Sequence, residues 1–414
     1  MKKRRLLNVS EDRLNLSGSR TRTLASVEKS LQSLPLPKDL VVDIFSRLPA
    51  KSIARCRCLS KYWASVFCDQ HFTELFMRNS SLRPQLLFAC AHEDWFFLFS
   101  SHQPQNLDEN LGAITADLLT NVPHAYEIKG PVNGLFCLKR HPPDNPSVVI
   151  YNPSTRESIT LPKLKTKYQK IMLTTYSYLG YDPTKKQFKV LSMTLPNYYA
   201  KEHQCKEYQV LPLGTERKSW RMIQCCKPHV PHGSEICING VLYYTAVEKE
   251  SLMVTTVVCF DISSEKFSFM KVMETFNRNL PRSTTMINNN GKLGLLMSEE
   301  SNDIVSGTSK SFELRVLEDA GKHEWSTHVY MLPPLWKNLV GEETNLRFLG
   351  LSGTNEIVLS YKYPSTFMPS YVFYYNIERN TIRRLQIQGM EEFNGKRCYI
   401  YLNHVENIKL IQAF

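Results

Sequence analysis

The chain has 414 residues, 42% of them hydrophobic and 22% charged, with 17 Gly and 22 Pro. That composition excludes a disordered, collagen-like or low-complexity protein. No uninterrupted apolar run approaches the roughly 18 residues of a membrane-spanning helix, so no membrane span is expected. The formal net charge of +12 invites a nucleic-acid reading, but the excess is unevenly placed. Residues 1–33 hold eight basic and three acidic side chains, and residues 34–80 hold seven and four. The rest holds 36 and 32, so the large C-terminal part is close to balanced and carries no basic excess of the kind nucleic acid requires.

Residues 1–33 are rich in Ser and Arg, poor in aromatics and without a sustained apolar period, and are read as a disordered basic arm. Lys2-Lys3-Arg4-Arg5 could serve as a nuclear import signal. The same start looks like the charged end of a signal peptide, but Leu6-Leu7 runs at once into Asn8, Ser10, Glu11 and Asp12, leaving no apolar segment. Residence in nucleus or cytoplasm is therefore expected. The Asn-x-Ser sequons at Asn8, Asn15 and Asn79 are then coincidental, and the eleven cysteines are reduced thiols.

From residue 34 to 80 the period is helical. Leu40, Ile44 and Leu48 recur every fourth residue, and Val41 and Phe45 widen the stripe. Pro37 suits a first turn and Pro49 a stop. A second helix is predicted near 50–57, with Ile53 and Cys56 on one side. A third should follow a Ser60 cap, with Trp63, Val66 and Phe67 on one face, and Asp69 should cap a last turn or two bearing Phe72, Leu75 and Phe76. About 45 residues cannot cover so many large apolar side chains alone, so part of this surface should need a protein partner.

The stretch Leu36-Pro37-Lys38-Asp39-Leu40-Val41-Val42-Asp43-Ile44-Phe45-Ser46-Arg47-Leu48-Pro49-Ala50-Lys51-Ser52-Ile53 resembles the opening of a plant F-box. The continuation Arg55-Cys56-Arg57-Cys58-Leu59-Ser60-Lys61-Tyr62-Trp63 and the later Asp69-Gln70-His71-Phe72 resemble its second half. The resemblance implies docking to a SKP-type adaptor and, through it, to the cullin and RING subunits of a ubiquitin ligase. By matching position the adaptor-facing residues would be Leu36, Pro37, Leu40, Ile44, Leu48, Pro49, Ile53, Leu59, Lys61 and Trp63. Asp in place of Leu48 should then abolish docking.

Beyond residue 81 short β-rich runs alternate with turns. An apolar strand, an aromatic or Gly-Tyr step, Asn or Asp and a polar turn recur at Tyr151-Asn152-Pro153-Ser154-Thr155-Arg156, Tyr181-Asp182-Pro183-Thr184-Lys185, Phe260-Asp261-Ile262-Ser263-Ser264 and Tyr375-Asn376-Ile377-Glu378-Arg379. Weaker copies lie at 210–220 and 316–325. Asn133-Gly134, Asn239-Gly240 and Asn290-Gly291 open other strands. The mean spacing is about 45 residues, the period of a propeller blade. Residues 81–414 are thus read as an all-β propeller of about six irregular, kelch-like blades. With Gly130-Pro131-Val132-Asn133-Gly134-Leu135 they resemble the plant F-box-associated domain. A ring of blades leaves open edges unless its ends pair, so residues 85–90 and 95–99 should share a blade with 397–402, followed by a further strand at 408–411. Deleting 395–414 should then ruin the propeller and spare the F-box.

Cys225, Cys226, His229, His232 and Cys237 crowd together, but their spacing fits no paired zinc motif and no metal is expected. No nucleotide-binding, metalloprotease or hydrolase signature occurs, and no cofactor is expected. The chain is read as a non-catalytic receptor that holds a protein substrate for ubiquitination. Two rivals are a non-degradative scaffold using the same F-box and a propeller enzyme, which would gather carboxylates or histidines in its central channel. Tyr198-Tyr199 and Trp95-Phe96-Phe97 could line a recognition face, but no substrate-binding residue is nominated.

Overall fold

The computed structural model describes residues 37–410 apart from 60, 105–111, 124–126, 141–146, 169–172, 197–203, 216–218, 248–255, 272–283, 299–303 and 364–369. The basic arm, Leu36, Ser60 and Tyr198-Tyr199 lie outside the described residues.

Among the described residues four helices come first: α1 (Lys38–Ser46), α2 (Ala50–Leu59), α3 (Lys61–Cys68) and α4 (Gln70–Ser81). Asp69 caps α4 as its type predicts, its Oδ1 accepting from the His71 and Phe72 backbone N–H groups at 2.9 and 3.3 Å. This helix runs twelve residues, longer than the turn or two expected. The apolar stripes meet in one core of Ala50, Ile53, Phe67, Phe72 and Phe76, flanked by Phe45, Leu48 and Trp63.

Among the described residues the rest of the chain folds into six sheets. The closing blade takes β1 (Gln85–His92), β2 (Trp95–His102) and β4 (Asp117–Pro123), while β3 (Ala113–Thr115) crosses to a neighbouring sheet. The second blade is β5 (Glu127–Val132), β6 (Leu135–Arg140), β7 (Ser147–Asn152) and β8 (Glu157–Thr160). The third is β9 (Thr174–Asp182), β10 (Gln187–Leu195), β11 (Glu207–Pro212) and β12 (Arg221–Ile223). The fourth is β13 (Val230–Ile238), β14 (Val241–Val247), β15 (Thr256–Asp261) and β16 (Lys266–Lys271). The fifth holds β17 (Thr285–Asn289) and β18 (Lys292–Ser298). After the short β19 (Val305–Ser306), which pairs elsewhere, it is completed by β20 (Ser311–Asp319) and β21 (Glu324–Met331). Helix α5 (Trp336–Val340) leads to the sixth: β22 (Asn345–Leu351), β23 (Glu356–Tyr361), β24 (Tyr371–Asn376) and β25 (Thr381–Gln388), edged by β19 and by β3 in parallel.

The last strand, β26 (Cys398–His404), returns to the first blade and pairs antiparallel with β1, placing Cys90 opposite Cys398 and Leu87 opposite Tyr401. The ends of the propeller do close on each other, so no sheet edge is left at the seam. The further strand expected at 408–411 is not formed. Residues 405–410 are irregular, and Ile411 lies outside the described residues.

Turn chemistry explains the repeat. At Asn133-Gly134, Asn239-Gly240 and Asn290-Gly291 both central residues have positive φ, the two-residue hairpin geometry that favours this dipeptide. In the other repeat the Asn or Asp carboxamide or carboxylate accepts from backbone N–H groups two or three residues on. Such bonds form at Asn152, Asp182, Asp261, Asp319 and Asn376. The residue four places after each (Arg156, Lys186, Glu265, His323, Asn380) takes positive φ and returns the chain to the sheet. Most of these turns join the outer two strands of a blade. Asp182 instead joins β9 to β10, which is why the repeat looks uneven in sequence.

Candidate functional site

Three places carry candidate chemistry: the outer surface of the helices, the seam between helices and propeller, and the central channel.

On α1, Leu40 and Ile44 lie four residues apart and are half exposed, at 51% and 50%. Leu59 at the end of α2 is 78% exposed, and Pro37, Pro49 and Lys61 are also exposed. Leu48 and Trp63 are half-buried. The Trp63 ring stacks on Phe67 with centroids 5.6 Å apart and leans on Phe45 at 4.9 Å. Ile53 corrects the expected set, because it is 0% exposed and sits at the centre of the helical core. Its side chain has no surface to offer a partner. The same geometry makes Leu48→Asp a poor probe, since it would damage the core as well as the surface.

The seam was not foreseen. Ile408, 2% exposed, inserts into the helical core beside Ala50, Ile53, Phe67, Phe72 and Phe76. Part of the apolar surface that seemed to call for a partner is thus covered by the chain's own end. Glu406 Oε1 accepts from the Ala50 backbone N–H at 3.0 Å, serving one of the free donors at the start of α2 that Pro49 has no side chain to cap. Burial pushes the Glu406 carboxyl up, against the pull of that N–H and of Arg83. The Arg57 guanidinium donates to the carbonyls of Phe67 and Ile408, both at 3.0 Å. On the propeller side, Asn407 donates through its Nδ2 to the Asn133 carbonyl at 2.8 Å and through its backbone N–H to Ser154 Oγ at 3.1 Å. Asn152 Nδ2 in turn donates to the carbonyls of Asn407 and Lys409 at 2.9 and 3.2 Å. The repeat turns of the second blade therefore grip the strap that plugs the helical module. Farther along, Lys186 in the turn after Asp182 pairs with Glu74 of α4 at 2.6 Å.

The innermost strands β5, β9, β13, β17, β22 and β26 line a channel of about 370 Å³. Within it Lys129 Nζ lies 3.2 Å from Glu127 and 3.7 Å from Glu235, and 3.9 Å over the Tyr178 ring. Burial alone would lower the Lys129 pKa, but Glu235, Tyr178 and Glu127 hold it well above the usual lysine range. Burial raises the Glu235 carboxyl, with Lys129 opposing. Glu235 lines the channel and Glu127 stands behind it on Lys129, so two carboxylates do approach each other there, as an enzyme reading would ask. Both are committed to one ammonium, and the cluster ties β5, β9 and β13 together.

The Cys/His crowd is dispersed. His229 is buried, with Nδ1 2.8 Å from the Lys227 carbonyl and Nε2 2.7 Å from the Tyr244 hydroxyl, while Cys225 Sγ lies 3.9 Å from Nδ1. Cys237 Sγ accepts from the Tyr181 N–H of the next blade at 3.5 Å. Among the described residues no group of three or more His, Cys, Asp or Glu side chains gathers as a metal site would require.

With this geometry in hand, comparison with known families is decisive. Residues 85–405 match the F-box associated beta propeller domain, and residues 34–75 match the F-box domain. The chain belongs to the F-box proteins with an F-box-associated β-propeller. At3g23960 of Arabidopsis thaliana, itself named only provisionally as an F-box protein, is 53% identical over 421 residues, covering 99% of this chain and 100% of its own. F-box protein At5g65850 of the same plant is 48% identical over 98% of this chain and 97% of its own. F-box protein DOR, also from Arabidopsis thaliana, is 48% identical over 91% of this chain and 94% of its own. Among solved structures, a chain of the nidogen/laminin complex aligns over 77% of this chain and 98% of its own at 11% identity. The TM-score is 0.41, a likeness too loose to build on.

Proposed function

We propose that this protein is the target-recognition subunit of a SKP–cullin–RING ubiquitin ligase, its F-box docking the SKP-type adaptor and its propeller holding the protein to be ubiquitinated. The observation that carries this is the set of large apolar side chains Leu40, Ile44 and Leu59, left exposed on helices whose core is closed in part by the C-terminal strap. Large apolar side chains kept in water beside a closed core mark a partner surface. Pro37, Pro49 and Lys61 are exposed as well, and Leu48 and Trp63 pack half-buried against the helical core. The receptor itself performs no bond chemistry. It raises the effective concentration of its target near the charged enzyme of the complex.

Ile44→Asp tests the reading more cleanly than a substitution at Leu48. An aspartate there keeps its hydration in the free protein, because the site is exposed, and loses it only on docking. Full-length Ile44→Asp should melt like the parent and lose capture of a SKP-type adaptor by at least about a hundredfold. Unchanged capture by the folded variant would remove the docking claim. Adaptor capture without any change in target half-life would favour the non-degradative scaffold.

A further inference from the structure

The seam where the ring closes holds a second cavity, of about 290 Å³, between the sixth blade and the closing blade. It lies at the starts of β22, β24 and β26, on the face of the propeller remote from the helices. Its lining includes Arg347, Lys362, Lys396 and Arg397, and no acidic residue. The remaining wall is largely apolar, with Phe88, Ile387, Met390, Phe393 and Ile400.

Among the described residues Arg347, Lys396 and Arg397 have no carboxylate within ion-pair distance. Arg347 donates from Nη2 to the Cys398 carbonyl at 3.2 Å, while its Nε is buried with no acceptor. Ser360, its register partner across β22 and β23, likewise has a buried Oγ with no partner. Arg397 lies over the Tyr399 ring at 4.8 Å, and Lys396 Nζ is 2.7 Å from His92 Nδ1. Buried donors without acceptors are costly in a native structure and ask for a missing partner. Burial disfavours the Arg347 charge, with Arg397 adding to that and the neighbouring Cys398, Tyr399 and Tyr401 opposing it.

We propose that this cavity binds a small organic anion, a carboxylate on an aromatic body, with the carboxylate among the Arg347, Lys396 and Arg397 cations and the ring among Phe88, Met390 and Phe393. A guanidinium matches a carboxylate with directed, charge-assisted bonds, and an apolar wall with a few convergent polar groups is the usual make-up of a ligand site. The volume is at the small end for such sites, which selects a compact molecule over a peptide segment. Because the cavity lies away from the F-box, the occupied pocket would form part of the surface that the propeller offers to a target. The site is independent of adaptor docking and is tested without it.

The probe is 2-naphthoate, titrated calorimetrically into the full-length protein, with 2-naphthamide as a neutral molecule of the same shape. Naphthoate should bind at least about tenfold more tightly than the amide, and more weakly as salt is raised. Arg347→Gln should weaken naphthoate by about tenfold or more. Ser360→Met, which fills the cavity without touching charge, should abolish binding of both probes. Lys396→Gln, at the rim, should weaken naphthoate a few-fold and leave melting unchanged, and it serves where Arg347→Gln does not fold. Absence of naphthoate binding, equal binding of the amide, or full affinity in folded Arg347→Gln or Ser360→Met would each overturn the proposal.

Discussion

Replacing Ile408 by Ala asks whether the F-box is complete without the end of the chain. Ile408 is sealed among five core residues of the helices, and an Ile-to-Ala change in such a site costs about 2–5 kcal/mol. A module of some 45 residues has only ~2–7 kcal/mol to lose if it follows the usual stability per residue. The substitution should therefore remove a large part of the local stability of α1–α4 and leave the propeller nearly untouched. Hydrogen exchange read by mass spectrometry separates the two. Peptides from residues 38–81 should exchange at least about thirtyfold faster, while strand peptides of the third to fifth blades stay within about twofold. Leu40→Ala is the control, because a half-exposed side chain should change stability by no more than about 0.5 kcal/mol. Unchanged protection of the helices in Ile408→Ala would refute the claim that the strap completes their core. Deletion of 395–414 should then do more than ruin the propeller. That truncation removes β26 and the plug together, so both the propeller and the F-box should fail.

Gly134 has φ +81, and a Cβ there would lie 2.5 Å from the Val405 carbonyl oxygen and 2.9 Å from Asn407 Cβ. Gly134→Ala should cost about 2–4 kcal/mol in urea unfolding and loosen the strap before the outer strands. His404 is fully buried, its ring nitrogens have no partner, and burial pushes its pKa from 6.5 down to about 4. The unfolded chain then binds a proton that the folded one refuses. Stability present above about pH 6.5 should fall as the pH drops towards 4 and level off below it, by ~3 kcal/mol in all. His404→Phe should flatten that slope. Burial pushes the Cys137 and Cys259 thiols up to about 12, whereas Cys58, Cys68 and Cys226 are exposed. A pulse of iodoacetamide on the native protein should label the three exposed cysteines and spare Cys90, Cys137, Cys205 and Cys259, and labelling of the latter before unfolding would contradict the packing.

What could be read from the sequence was local. Asn-Gly pairs dictate two-residue hairpins, and an Asn or Asp followed by a small polar run dictates the wider turn, so the blade period and the approximate number of blades were visible without coordinates. Terminal pairing followed from the cost of open edges. The failures were matters of partnership at long range. Ile408-Lys409-Leu410-Ile411 has the texture of a strand, and only the distant helical core reveals that Ile408 is a plug. Ile44 and Ile53 are the same residue type in neighbouring helices, yet one faces solvent and the other lies at 0% exposure. Helical period places a side chain on a face but does not say what covers that face. Glu406, Asn407 and the Lys129–Glu235 pair carry no local signature at all, since each depends on contact between residues far apart in the chain.

The strap also bears on how a receptor of this kind would present its target. Only Leu82, Arg83 and Pro84 separate α4 from β1, and the returning segment 405–409 is bonded to helices on one side and to blade turns on the other. The helices sit against the face where the Asn-Gly turns lie, so on that face several connections are only two residues long. Strands β8, β10, β14 and β16 run away from that face, and the stretch of sequence before the next strand is longer after each of them, which by length alone offers more variable chain for recognition. A flexible joint would spread a bound target over many positions relative to the adaptor, and its effective concentration would fall accordingly. A joint fixed by Glu406, Asn407 and Ile408 holds that geometry constant. Asn407→Ala removes the grip on Asn133 while leaving both the Leu40–Ile44 surface and the far face unaltered. It should therefore preserve adaptor capture and the folded propeller, yet broaden the distance distribution between spin labels placed on α1 and on β21. A distribution as narrow as the parent's would show that the Asn407 side chain is not what fixes the two parts.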